Sequence, residues 1–462
     1  MVFLNVTNDN ICCDEEVLRY ISVTPSPRQL EFMKLEYYNF IHFGMNTMTN
    51  REWGDGKEDI SKFNPQKLDT DQWCKVLKST GSNGIIITAK HHDGFCLFDT
   101  AYTDHNVTNT PFGKDIVRML SDSCKKFGLK FGVYLSPWDR HEKTYGTEEY
   151  NDFFVGQLTE LCENYGEIFC FWFDGACGEG KNGKKQIYDW DRYYSVIRKY
   201  HPNAVISICG PDVRWIGNEG GRVRKSEWSV IPDEKDNTQA VADNSQTDES
   251  QTELMAKKLD DRTEDLGSRE VLRNYKKLIF KPAEADVSIN LGWFWHNNLY
   301  YIFKKQRTAK DLAKIYFNTV GGNASMLLNV PPDKNGLINK REIRTLKRFT
   351  HLITKPFKNE IRDISISDCS GSEGTKIRIE LGETRRIGLL SFREDLILSQ
   401  RVEEFRILVR SGAKKYRCIY EGTVIGSRKI VKLSSHPKTD EVIIDVIKSR
   451  GKPAINDIRL YE

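Results

Sequence analysis

The stretch TDQWCKVLKSTGSNGIIITAKHHDG, residues 70–94, decides the fold. Its first part, up to Gly81, carries apolar residues at helical spacing and stops at a glycine, a usual helix terminator. GIIITAKHH (84–92) is then a short β-rich run that turns polar only at its end. The same helix-to-strand step recurs on either side. GKDIVRMLSDSCKKFG and YNDFFVGQLTELCENYG repeat the helical spacing and the closing Gly. Further strand candidates are YYNFIHFG (37–44), KFGVYLS (130–136), IFCFWFDG (168–175), AVISICG (204–210), a short run near SEWSV (226–230), ADVSINLG (285–292) and SMLLNVPP (325–332). Short strands alternating with helices are the pattern of parallel strands joined by crossovers, and about eight of them predict an α/β fold of the (β/α)8 TIM-barrel type. In that fold the active site sits at the C-terminal ends of the strands, so polar residues there are the best candidates for chemistry.

The texture changes after KPFKNE (355–360). KIRIEL, RIGLLSF, EFRILVR, RCIYEG, KIVKL and EVIIDVI alternate and are separated by turn residues, which predicts a C-terminal β-sandwich domain. The expected division is a barrel domain over 1–356 and a sandwich over 357–462, consistent with a chain of 462 residues, too long for one core. The almost wholly polar stretch 233–265 reads as an insertion on the barrel surface.

Composition narrows the function classes. The 69 basic and 65 acidic side chains are interspersed, so no basic face for nucleic acid is expected. No apolar run approaches the roughly 20 residues that span a bilayer, so no membrane partner is expected either. The N-terminus shows no basic region followed by a long apolar one, which points to a cytoplasmic location. Eleven cysteines without a CxxC pair are read as mostly reduced and buried, without zinc-type spacing. The Asn5, Asn106 and Asn323 sequons are of a kind common by chance, and Asn323 falls in expected barrel structure.

Several strand ends carry reactive groups. Asp174 closes the aromatic run IFCFWF, where a carboxylate would be partly desolvated at the barrel rim, as a nucleophile needs to be. Taken alone, an Asp-Gly after a strand more often only opens a loop. His42, the pair His91 and His92, and Tyr134 end three other strands, and Trp53 follows in REWG. Adjacent histidines on a strand point to opposite faces, and no third ligand stands out, so no metal site is expected. Glu219 in GNEGG and Glu227 in SEWSV are both candidates for the proton donor that a glycosidase needs beside its nucleophile. Spacing does not decide between them, and GNEGG could equally be a plain turn.

Together EYYNFIHFGMNT, REWGDG, GIIITAKHHDGFCLFDT, IFCFWFDGACG, GNEGG with RKSEWS, ADVSINLGWFWHN and MLLNVPPDKNGLI resemble family 29 glycoside hydrolases, the α-L-fucosidases. They run in order over the whole expected barrel. The resemblance implies Asp174 as nucleophile, His42, Trp53, His91, His92 and Tyr134 as contacts to fucose, and Trp293 as a stacking wall. It favours Glu219 as acid/base, with Glu227 close by in the site, and it resembles the subfamily acting on α-1,3/4-linked fucose. A fucosylated oligosaccharide or glycoconjugate would be the partner, with no cofactor and no metal. Two other readings remain at this point: a retaining glycosidase for another sugar, and a fucose-binding protein without catalysis.

Overall fold

The structure, a computed structural model, describes residues 15–233, 265–296, 306–370, 374–410, 412 and 415–462. The polar stretch expected as an insertion lies almost wholly outside them, as do Cys12, Cys13 and Asn5. In chain order the first strands are β1 (Tyr37–Ile41), β2 (Gly84–Lys90), β3 (Lys130–Leu135), β4 (Ile168–Phe173), β5 (Val205–Ile208) and β6 (Arg214–Trp215). They are followed by β7 (Val230–Pro232), β8 (Leu278–Phe280), β9 (Ala283–Ser288) and β10 (Ala324–Asn329). Eight of these form one parallel sheet in the order β5-β4-β3-β2-β1-β10-β9-β6. The parallel bridge Ser207–Val213 brings its two ends together, so the sheet curls into a nearly closed barrel.

One expected strand is displaced. The run near 226–230 does not enter the barrel; β7 begins at its last residue and pairs antiparallel with β8 in a separate two-stranded sheet. The sixth place belongs to β6, whose flanking amides bond the carbonyls of Pro282 (from Arg214) and Glu284 (from Ile216), each at 3.0 Å.

Alternation along each strand sorts the side chains into two layers. Tyr37, Ile41, Ile85, Ile87, Val133, Phe171, Phe173, Met326 and Leu328 pack outward against the helices. Trp73, Cys74 and Leu77 of the helix Thr70–Lys78 meet them, as do Val117, Leu120 and Cys124 of Ile116–Phe127. Asp69 and Asp115 cap these two helices by accepting from Gln72 N and Arg118 N. Gly128 ends the second in a left-handed conformation at φ +63°, open to glycine at little cost. Tyr38, Phe40, Ile86, Tyr134, Cys170, Trp172 and Leu327 fill the barrel interior, closed below by Tyr20, Phe32 and Met33.

The remaining strands, β11 (Glu360–Ile361) to β19 (Ile455–Tyr461), are antiparallel. Between them lie β12 (Ile364–Asp368), β13 (Thr375–Arg386), β14 (Leu389–Glu394), β15 (Val402–Arg410), β16 (Tyr416–Gly422), β17 (Lys429–Lys432) and β18 (Lys438–Ser449). They form a four-stranded sheet, β11-β19-β14-β17, and a five-stranded sheet, β12-β13-β18-β15-β16, over a shared core that includes Ile379, Leu390, Phe405 and Ile444. This sandwich grips the barrel where β7 begins. Gln400 accepts from Ser229 N at 2.8 Å, and the buried guanidinium of Arg450 lies 3.7 Å from the centroid of the Trp228 ring. Asn323 is buried at the same seam, with its amide donating to Glu227 O and accepting from Ser427 N, so it offers no room for a glycan. The nine described cysteines form no disulfide with one another, and the Sγ atoms of Cys74 and Cys124 lie 3.9 Å apart.

Candidate active site

Inward alternation carries the polar groups up the barrel wall to one cavity. Along β4 the inward positions are Cys170 and Trp172, and the next one in step is Asp174, just past the strand end. Along β1 they are Tyr38 and Phe40, and the next is His42. The cavity they reach is lined by Phe40, His42, Trp53, His91, His92, Tyr134, Trp172, Asp174, Gly175, Ala176, Ile208, Trp215, Glu219, Asp286 and Trp293.

Strict alternation would have sent one of His91 and His92 away from the cavity. Both line it, with ring centroids 4.1 Å apart. The reason is an irregularity between Thr88 and Lys90, where the register against β3 slips by one residue. Ala89 packs outward, and Lys90 is likewise turned toward the helices, bonding Asp139 Oδ2 and Gln157 Oε1 at 3.0 Å each. His91 therefore faces inward, and His92 follows as the chain leaves the strand. Bulges of this kind commonly re-aim side chains beside a site. Among the described residues, no cluster of three or more His, Cys, Asp or Glu side chains is arranged to hold a metal ion.

The histidines are neutral and each has an assigned tautomer. Burial pushes His42 and His92 down to about 4 and His91 well below the usual imidazole range. Asn329 Oδ1 faces His42 Nδ1 at 3.0 Å, so that nitrogen carries the proton and Nε2 accepts. Ser136 Oγ donates to Trp138 O and therefore accepts from His92 Nδ1 at 2.7 Å, again leaving Nε2 as acceptor. Asn46 Nδ2 approaches His91 Nδ1 at 3.3 Å, which makes His91 Nε2 a donor. A cavity with fixed acceptors and a fixed donor beside aromatic walls suits a ligand that is part hydroxyl and part apolar.

Asp174 is held from two sides. Tyr134 Oη donates to Oδ2 at 2.9 Å and Ala176 N to Oδ1 at 2.8 Å, while His92 Nε2 stands 3.8 Å from Oδ2. Glu219 comes from the loop after β6 and lines the same cavity from its exposed rim. Desolvation and then the Asp174 charge raise its carboxyl above the usual glutamate range, against the opposing hydrogen bond with Trp293. Trp53, 53% exposed, packs edge-on against His92 and Trp138 and forms the outer lip.

Glu227 is not brought into the cavity, which corrects its expected place in the site. It is fully buried, paired with Arg214 and with Arg224 Nη1 at 3.3 Å. Burial pushes its carboxyl up, but the two guanidiniums outweigh this and hold it below the usual range. Its role is to fix the chain between β6 and β7.

The family pattern of α-L-fucosidases matches residues 23–355, most of the chain. The chain belongs to the α-L-fucosidase family. It is therefore a glycoside hydrolase. It is 34% identical to α-L-fucosidase 1 of Arabidopsis thaliana over 471 aligned positions, covering 95% of this chain and 87% of that protein. Among solved structures, a glycoside hydrolase 29 family member from a rumen bacterium aligns at TM-score 0.78 and 31% identity, covering 95% of this chain and 77% of the other. A Ruminococcus gnavus fucosidase in complex with fucose aligns at TM-score 0.79 and 28% identity over 95% of each chain.

Several residues of this fucosidase site escaped the sequence reading: Phe40, Trp215 and Asp286 in the lining, and Ser136 and Asn329 behind the histidines. A signal existed for Asp286. In AEADVS small or apolar residues alternate with polar ones, so that Glu284, Asp286 and Ser288 share the face turned into the barrel.

Proposed function

We propose that this α-L-fucosidase works by double displacement with retention, Asp174 attacking the anomeric carbon while Glu219 protonates the leaving oxygen. Water then attacks the fucosyl-enzyme ester, with Glu219 as base, and the sugar leaves with its original configuration. The reading is carried by one observation: Asp174 and Glu219 line the same cavity, and the charge of the first helps to raise the proton affinity of the second. A glutamic acid raised in this way beside a second carboxyl suits the acid partner of a nucleophile. Tyr134 and the Ala176 amide orient Asp174, and Phe40, Trp172 and Trp293 limit water around it. The neutral histidines bind fucose hydroxyls, and Trp293 forms the wall for the apolar side of the sugar. The likeness of GNEGG and SEWS to the corresponding subfamily favours α-1,3/4-linked fucose on an oligosaccharide or glycoconjugate as the substrate.

The test is hydrolysis of an aryl α-L-fucoside followed by NMR. The first product should be the α-anomer, Asp174→Ala should lose nearly all turnover, and azide should restore turnover to Glu219→Ala. Initial formation of the β-anomer would sink the double-displacement mechanism, and preference for an aryl β-D-galactoside would sink the substrate assignment.

A further inference from the structure

Strand β9 places acids on two successive inward positions, Glu284 and Asp286, and the mechanism above uses neither. Glu284 is satisfied within the barrel: Trp172 Nε1 donates to its Oε1 at 2.6 Å and Tyr38 Oη donates to its Oε2. Asp286 differs. It is only 5% exposed and lines the cavity with Asp174 and Glu219. Its Oδ1 accepts from Trp215 Nε1 at 2.6 Å, and no other described residue bonds its Oδ2 through a side chain. A carboxyl oxygen withheld from bulk water but open to a binding cavity is a group awaiting a ligand atom.

We propose that Asp286 is a further sugar-contacting residue, its Oδ2 donating a hydrogen bond to one ring hydroxyl of the fucose on which Asp174 and Glu219 act. The inference rests on the fucosidase reading of the cavity. The direction of the hydrogen bond follows from the partner on the other side. An indole N–H only donates, so Oδ1 is an acceptor and a proton on this carboxyl belongs to Oδ2. Burial, with the charges of Glu219 and Asp174 added, pushes Asp286 up to about 8, which keeps that proton in place at neutral pH. The groups bearing on it are Glu219 from the loop after β6, Asp174 from β4 and Glu284 two residues back on β9. All are acidic, so a charged Asp286 would set a second anion beside the nucleophile Asp174. A neutral acid contacts the sugar without that repulsion, as the Trp215 clamp holds its plane.

The experiment measures binding of fucose and of its 2-, 3- and 4-deoxy analogues by calorimetry with the full chain. Asp286→Ala should weaken fucose about tenfold or more, the scale of one lost buried hydrogen bond. The loss should vanish for the single deoxy analogue that lacks the contacted hydroxyl and persist for the other two. Asp286→Asn, neutral and still able to donate, should stay within about threefold of wild type, which separates contact from misfolding. Unchanged fucose binding by Asp286→Ala, or equal weakening of all four sugars, overturns the contact. Failure of the folded wild-type chain to bind fucose at all overturns the fucosidase reading, and this contact with it.

Discussion

A Glu227→Gln variant should melt several degrees below the wild-type chain and should not respond to azide. Glu227 is fully buried, and its carboxylate receives Arg214, Arg224 N at 3.0 Å and Arg224 Nη1 at 3.3 Å. Glutamine keeps the shape and removes the buried charge that faces the guanidiniums of Arg214 and Arg224. Breaking a buried pair in this way costs about 3–5 kcal/mol. With an unfolding entropy of roughly 2.1 cal/mol/K per residue, a chain of 462 residues melting as one unit loses about 1 °C per kcal/mol, or about 3–5 °C in all. The sign with pH is fixed by the depressed carboxyl. Its stabilisation is complete above the ordinary glutamate pKa and disappears as pH falls through the lower folded value, so the gap between variant and wild type should be widest at neutral pH and close toward acid. Thermal melts across that range, with aryl fucoside turnover measured with and without azide, check both halves. A melting point within a degree of wild type at neutral pH would refute the burial argument, and azide rescue would move the acid/base role to Glu227.

Two further outcomes follow from the same geometry. Asn329→Leu releases the His42 ring from its 3.0 Å bond, together with the amide's bonds to Ser288 Oγ and Trp293 O, and should lower kcat/KM by about tenfold or more; an unchanged value in the folded variant would show that the tautomer lock is unimportant. Glu52→Gln removes a negative charge that helps to raise Glu219, so the acid should lose its proton at lower pH and the basic limb of the kcat/KM profile should shift downward; no shift, or a shift upward, would contradict the electrostatic account.

The parts legible in the sequence were those whose cause is local. GIIITAK and IFCFWF are buried on both faces, and their unbroken apolar runs announce strands of a parallel sheet. Asp174 stood out because a carboxylate closes such a run. β6 could not be read, since two residues after a turn carry no periodicity and become a strand only through the carbonyls of Pro282 and Glu284. Glu219 and Glu227 look alike in sequence because what separates them is the reach of Arg214, which depends on folding. His91 and His92 were placed in the site by the resemblance, whereas alternation alone would have parted them, for a similar reason: the slip after Thr88 is a property of the pairing with β3 and leaves no mark on the residues themselves.

The brevity of β6 has a consequence for how the barrel breathes. Between β5 and β9 the wall is carried by two residues and a bridge, whereas β2 and β3 run side by side for most of their length. Amide hydrogens around 213–216 should therefore exchange with solvent sooner than those of β2, through openings that leave the opposite wall closed. The segment that delivers Glu219 hangs from this loosest stave, while Asp174 is rooted in one of the firmest. An opening there would displace Glu219 while leaving Asp174 in place.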